Sequence, residues 1–349
     1  FRLYFKLETM IKQNKKVLVI RCGLLGDTVD ATSVIEPLLE LYGKELEIHW
    51  VSKPNICELF KHDRRISKVY TLRHTKLPFI FNKDKLGIIV NSLYKPYDLI
   101  LNLEIGKKFN DIVRFCRAEN KIGMPYDYIP DDIFKEHRVD HQLRILDKFF
   151  NKYNKDTAKP SIVGKEAKDL SNKFPIEKKY IIFCPTNSHV GNINHRGYRS
   201  WPENNWGELI NKVLLETSLN IVLVGNKDEK KYFKCFYPLD KRVYNLAGTT
   251  SIPELITIMK NSECVVATDS GSAHIAGAVA KNIISIHGPT NYYQSSPYST
   301  ASNNVKIASL NLNCSPCYDT DIIKSCKKNR CMHDLSAENV MGIIKDFNL

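Results

Sequence analysis

The chain of 349 residues carries 51 Lys and Arg against 38 Asp and Glu, a formal net charge of +13, with 43% hydrophobic and 26% charged residues. That length and composition describe an ordinary globular protein of about two domains, each large enough to bury a core. No apolar run approaches the roughly 18 residues a bilayer-spanning helix needs, and no signal-peptide core opens the chain, so ten cysteines point to a reducing cytoplasm where thiols stay free or bind metal. The surplus of positive charge suits nucleic acid, an anionic membrane surface or phosphorylated substrates. Scattered lysines without a zinc finger, helix-turn-helix or aromatic RNA-binding motif place nucleic acid last.

Phe1 to Lys16 mixes aromatic and basic residues and reads either as a membrane-surface segment or as disorder. Lys16 to Arg21 is an opening buried strand, and Cys22 to Asp27 is the turn after it. From Thr28 to Tyr42 apolar residues recur at helical spacing, with Pro37 predicting a kink or an early break. Leu46 to Val51 is the next strand, so the chain opens with a βαβ unit. The dinucleotide fingerprint G-x-G-x-x-G is absent, which disfavours a nicotinamide-dependent oxidoreductase. Taken alone, Asp27 reads as a helix cap or dipole partner, and Asp30 shares its helix face.

Further strands are expected at Lys68 to Leu72, Leu99 to Leu103 and Lys121 to Met124, with a helix over Ile88 to Tyr94. Glu104 to Gly106 forms a loop at the same carboxyl edge as Asp27, suited either to a ligand or to solvent. His141 to Leu146 opens an amphipathic helix. Asn151 to Glu177, polar apart from a short helix over Lys165 to Phe174, reads as a linker.

The second half begins with the strand Tyr180 to Cys184 and a turn holding Thr186 and Asn187. A polar, basic loop from His189 to Ser200 leads into a helix over Trp206 to Thr217. After the strand Asn220 to Gly225, Asp228 and Glu229 stand at a helix entry. Pro253 to Lys260 reads as a helix and Cys264 to Thr268 as a buried strand. Next come the turn Asp269-Ser270-Gly271-Ser272, a small-residue helix to Ala280, and the strand Ile283 to Ile286. A turn in that position lies at the carboxyl end of a parallel sheet, and the following helix aims free N–H groups at it, so an anionic ligand is the natural guest. His274 sits in that helix's first turn.

Cys314, Cys317, Cys326 and Cys331, spaced C-x2-C-x8-C-x4-C, read as a structural zinc site, free thiols or a crosslink. Asp319-Thr320-Asp321 follows no convincing strand and is set aside as a metal motif. Leu335 to Phe347 is a final helix.

The stretch D-S-G-x-x-H-x-A-x-A from Asp269, followed by H-G-P-T and S-P-Y, resembles the carboxyl-terminal signature of glycosyltransferase family 9, which contains the ADP-heptose:lipopolysaccharide heptosyltransferases. Ser299 replaces the final glycine of that signature. The run from Arg199 to Leu209, R-S-W-P-E-N-N-W-G-E-L, is similar to a second family motif, as are Tyr97 to Leu103 and Tyr244 to Ser251. The turn into Asp27 is similar to the amino-terminal K-x-S-x-L-G-D, although Arg21 and Cys22-Gly23 depart from it and Ser33 stands where proline is common.

The resemblance implies a GT-B architecture: two Rossmann-like α/β domains with parallel sheets facing across a cleft. Residues 1–160 would bind the acceptor and residues 161–349 the nucleotide sugar, with the final helix, 335–349, packing back on the first domain. It implies Asp27 as catalytic base, Gly26 and Glu104 on the acceptor side, and Arg199 as the grip on the donor diphosphate. Thr186, Asn187, Asp228, Asp269, Ser270, Gly271 and His274 would complete the donor side, with Glu229 an alternative to Asp228.

The expected activity is inverting, metal-independent transfer of heptose from ADP-heptose to the inner core of lipopolysaccharide, by a cytoplasmic protein at the inner face of the inner membrane. No metal or other cofactor is expected in catalysis. Transfer of another nucleotide sugar, or to another surface glycan, is the nearest alternative. A non-catalytic nucleotide-sugar binding module and an oxidoreductase are the alternatives from other classes.

Overall fold

The computed structural model describes residues 15–73, 79–126, 136–150, 153–171, 173–176, 179–187, 197–318 and 320–349. The expectations for the first 14 residues, for most of the His189 to Ser200 loop and for Asp319 lie outside them.

β1 (Lys16–Ile20) is buried on both faces from Val17 to Ile20, as a strand covered by helices on each side must be. β2 (Glu47–Ser52) and β4 (Tyr97–Asn102) flank it in parallel, and β3 (Ile66–Thr71) and β5 (Ala118–Gly123) form the edges, giving the order β3-β2-β1-β4-β5. Val17 and Val19 face a core shared with α1 (Leu25–Ala31) and α2 (Ile35–Tyr42). Leu18 and Ile20 face the opposite core, made with α3 (Lys83–Tyr94) and α4 (Asn110–Phe115). At the end of β5, Gly123 adopts φ +84°, and a Cβ there would lie 1.9 Å from the carbonyl oxygen of Asn102. Only glycine permits that close approach.

The single helix expected over Thr28 to Tyr42 is divided. α1 ends at Ala31, Thr32–Val34 tightens into a 3-10 turn, and α2 starts at Ile35. Pro37 cannot donate to the carbonyl of Ser33 and its ring crowds that group, so the break falls upstream of the proline. α3 begins earlier than Ile88 because the side chain of Asn82 accepts from the amides of Asp84 and Lys85 and caps it. α5 (Arg138–Asp147) is capped by His137.

In the segment read as a linker, the amide of Ser161 donates to Thr32, and the amide of Lys165 donates to the carbonyl of Pro253. The chain therefore changes lobes between those two residues. The helix expected over Lys165 to Phe174 shrinks to a 3-10 turn at Ala167–Asp169.

The second sheet comprises β6 (Tyr180–Cys184), β7 (Asn220–Leu223), β8 (Val243–Asn245), β9 (Cys264–Thr268), β10 (Asn282–Ile286) and β11 (Asn304–Ala308). Its order is β11-β10-β9-β6-β7-β8, all parallel. Its helices are α6 (Glu203–Glu216), α7 (Ile252–Lys260), α8 (Gly271–Val279), the single turns α9 (Tyr292–Ser295), α10 (Ile322–Ser325) and α11 (Arg330–His333), and α12 (Ala337–Lys345). This is the pair of parallel α/β units that the GT-B reading expects.

The final helix does not return to the first unit. α12 buries Val340, Met341 and Ile344 in the second core with Leu209 and Ile284, and Lys212–Glu338 and Lys345–Glu216 ion pairs bind it to α6. Its apolar stripe is satisfied where the chain already is, so no crossing is needed.

In open parallel sheets, ligands bind at the carboxyl ends of strands where the connections reverse direction. In the first sheet that point is β1, between β2 and β4; in the second it lies between β6 and β9. The turn carrying Asp27 follows β1, Thr186 and Asn187 follow β6, and Asp269 follows β9. Topology thus selects the segments that carry Asp27, Thr186, Asn187 and Asp269.

Candidate active site

The two reversal points meet at one cavity of about 390 Å³. Gly26, Asp27 and Arg138 line it from the first lobe; Thr186, Asn187, Arg199, Glu229, Asp269, Ser270, Gly271 and His274 line it from the second.

Asp27 lies in the first turn of α1, folded back so that Oδ2 accepts from the amide of Leu24 at 3.0 Å. A Cβ on Gly23 would sit 2.5 Å from the Cβ of Asp27, so glycine is what lets the turn close over the carboxylate. Arg138 Nη1 donates to Oδ1 at 2.9 Å, and Arg21 Nη2 lies 3.2 Å from the same oxygen. Arg21 is anchored by donating to the carbonyl of Leu103 at 2.9 Å. Burial works against the charged carboxylate, but Arg21, Arg138, the Leu24 amide and His274 outweigh it and hold Asp27 below its ordinary 3.8. Asp27 is therefore an ionised acceptor between two guanidiniums.

On the opposite wall, Thr186 donates to Glu229 Oε2 at 2.7 Å, and the amide of Asn226 donates to the same oxygen at 2.9 Å. Asn187 donates to the carbonyl of Arg199 at 3.1 Å, tying the start of one loop to the end of the next. Arg199 Nη1 lies 3.4 Å from Asp269 Oδ2, and the guanidinium stands 5.5 Å from the centre of the Tyr318 ring. Burial raises Asp269, but His287, Arg199, His274 and Thr290 more than offset it, and the carboxyl stays below its usual range. Burial pushes His287 down to about 4, so it is neutral at pH 7. Ser270 occupies the N-cap of α8 with extended backbone, yet its hydroxyl makes no capping bond and is buried without a partner. The N–H groups of α8's first turn thus open on the cavity, a site for negative charge.

The lobes are held together beside this cavity. His274 Nδ1 lies 2.9 Å from Asp30 Oδ1, with both residues buried. Gly26 passes under the His274 ring so closely that a Cβ would be 2.5 Å from Cδ2, and Gly271 meets Leu25 in the same way. The Ser296-Pro297-Tyr298 stretch is a second clasp: His137 Nε2 donates to the carbonyl of Ser296 at 2.8 Å, and the Tyr298 hydroxyl donates to Asp140 at 2.7 Å.

Burial opposes a charge on His274, but Asp30 outweighs it and raises the ring above its ordinary 6.5. A group raised on folding adds stability fully below its unfolded value and loses it as pH rises through the folded one. The melting temperature of the wild-type protein should therefore exceed that of Asp30→Asn most below pH 6.5, and the gap should narrow as pH is raised. A gap independent of pH in thermal unfolding would exclude the charged pair.

Two expected site residues stand apart. Asp228 is exposed outside the cavity, because Asn226 and Glu229 cap one another, Asn226 Oδ1 accepting from the Glu229 amide at 2.9 Å, and so fold Glu229 inward instead. Glu104 accepts from the amide of Cys22 beneath the Asp27 turn and supports that turn from outside the cavity. Cys314, Cys317, Cys326 and Cys331 are free and border one separate hollow; among the described residues no three potential ligands are gathered to hold a metal. Arg138 and the pairing of Asp30 with His274 are site features that no motif announced.

A family model described as glycosyltransferase family 9 (heptosyltransferase) matches residues 94–327. Lipopolysaccharide heptosyltransferase 1 of Campylobacter coli is 22% identical over 356 residues, 95% of this chain and 98% of that protein. The solved ADP-heptose LPS heptosyltransferase II of Escherichia coli superposes with a TM-score of 0.75 at 17% identity, covering 95% of this chain and 98% of that one. A glycosyl transferase family 9 structure from Veillonella parvula gives 0.78 at 16% identity, covering 97% and 98%.

Proposed function

Because the chain belongs to glycosyltransferase family 9 and is a glycosyltransferase, we propose that it transfers heptose from ADP-heptose, with inversion and without a divalent ion, to the inner core of lipopolysaccharide. The observation that carries this reading is a single cavity bounded by an ionised carboxylate from one lobe and a helix N-terminus with an arginine from the other. The names of two relatives, an LPS heptosyltransferase and an ADP-heptose LPS heptosyltransferase, support this choice of sugar, nucleotide and acceptor class.

The acceptor occupies the first lobe and the donor the second. An acceptor hydroxyl enters beside Asp27, gives its proton to the carboxylate and attacks the anomeric carbon on the face away from the diphosphate. The bond from that carbon to the phosphate oxygen breaks, and its electron pair leaves on ADP. Arg199 and the first amides of α8 receive the developing charge, the work a metal ion does in other transferases.

Asp269 holds Arg199 over the site, and Glu229 takes the ribose-facing place expected of Asp228. To reach Oδ1 the hydroxyl displaces Arg138, the more exposed of the two guanidiniums at 37% against 7% for Arg21. Its departure restores basicity to Asp27 when proton transfer needs it. The acceptor is membrane-held, so the protein works at the inner face of the inner membrane.

The test is transfer in the presence of a metal chelator, with a panel of nucleotide sugars and a lipid A–core acceptor. ADP-heptose should be the turned-over donor and release ADP. Turnover of another nucleotide sugar alone would move the donor assignment, and binding without turnover would favour a silent sugar-nucleotide module.

A further inference from the structure

Eight of the sixteen exposed large hydrophobic side chains among the described residues fall between positions 80 and 115, about a tenth of the chain. They centre on α3. Its inner positions, Lys85, Ile88, Ile89 and Ser92, are buried against the first sheet. Its outer stripe, where a helix facing water should be polar, is Leu86, Val90 and Leu93 at i, i+4 and i+7, with Tyr94 alongside, exposed by 40%, 40%, 53% and 84%. Ile80 and Phe81, exposed by 55% and 67%, continue the stripe beyond the start of the helix. Single exposed hydrophobics are ordinary, but a contiguous run on one face marks a contact surface.

The rim of this stripe is basic. Lys83, Lys95, Lys107 and Lys108 are exposed around it, whereas Lys85 is turned inward, donating to the carbonyl of Lys108 and to Asp111. Those two bonds fix the loop after β4 beside the start of α3. That loop is at the carboxyl edge of the first sheet, the edge that carries Asp27. The stripe therefore begins at the same sheet edge as Asp27, on the face of the sheet opposite α1, and runs away from that edge along the helix.

We propose that this face docks on an anionic lipid surface, with the stripe of α3 among the headgroups and the surrounding lysines against their phosphates. The charge complement is on the face itself, and the net charge of +13 acts in the same sense. A second copy of the chain fits poorly, because a two-fold contact through this face sets one lysine rim against another. The choice of lipid also rests on the proposed function, in which the acceptor is held in a membrane.

The experiment is co-sedimentation of the full chain with phosphatidylglycerol/phosphatidylcholine vesicles and with phosphatidylcholine vesicles alone. Wild-type protein should partition onto the anionic vesicles and be released by salt. Leu86→Gln/Val90→Gln/Leu93→Gln and, separately, Lys83→Glu/Lys107→Glu/Lys108→Glu should each lower that partitioning by about tenfold or more. Both variants should keep wild-type melting and full transfer to a water-soluble core oligosaccharide, since every altered side chain is exposed. Equal binding by the variants and the wild type overturns the proposal, as does a wild-type dimer that the triple glutamine variant dissociates. Vesicle binding by a chain that transfers nothing would defeat the proposed function and leave the docking face standing; transfer without vesicle binding would do the reverse.

Discussion

Exchanging Asp27 for Asn should lower turnover by about 100- to 10,000-fold, the range for losing a general base, while donor affinity stays nearly unchanged. Asparagine keeps the shape and can still accept from Arg138 through its carbonyl. It cannot take a proton from the attacking hydroxyl at neutral pH, so the chemical step alone suffers. The substitution also leaves Arg21 and Arg138 facing each other without a counter-charge, 3.2 and 2.9 Å from the lost anion. Some thermal stability should therefore be lost as well, and turnover has to be compared well below the melting point of the variant. Steady-state kinetics beside a donor titration separates the two effects: unchanged turnover in a folded variant would remove Asp27 from the base role.

Arg199→Ala should cut turnover by about 100- to 1,000-fold, the scale for removing one fixed donor from a developing anion. Here the effect is compounded, because Arg199 is also the cation 3.4 Å from buried Asp269. Without it, the Asp269 carboxylate faces the incoming diphosphate uncompensated, so donor binding weakens along with turnover. Arg199→Lys should recover only part of the loss, since an ammonium supplies a point charge without the paired donors that grip phosphate oxygens. A titration showing wild-type donor affinity and turnover in the alanine variant would place the diphosphate elsewhere.

Much of this architecture is legible before any coordinates, because parallel strands buried on both faces must be apolar runs, and Val17 to Ile20 and Cys264 to Thr268 are such runs. The capped starts of helices are less so: α3 begins at Lys83 under the Asn82 cap rather than at Ile88, and α5 at Arg138 under His137 rather than at His141. Long-range pairing is not legible. Arg138 meets Asp27 across 111 positions and His274 meets Asp30 across 244, and no local pattern ties one to the other.

Asp228 and Glu229 show a finer limit: both are acids at a helix entry, and only the reciprocal cap with Asn226 decides which one turns inward. The final helix shows a third. Its spacing says that Val340 and Ile344 need an apolar partner, but not whether the near lobe or the far one supplies it. The stripe on α3 misleads in the opposite sense, since helical spacing of Leu86, Val90 and Leu93 ordinarily signals burial, and here that face is exposed.

The central claim is that the carboxylate of one lobe and the anion grip of the other act on one nucleotide sugar. Its most direct test is a structure of the protein with a non-transferable ADP-heptose analogue. The diphosphate should lie against Arg199 and the amides following Ser270, with the anomeric carbon turned toward Asp27. A bound donor whose anomeric carbon faces away from Asp27, or whose diphosphate lies outside this cavity, would contradict the account.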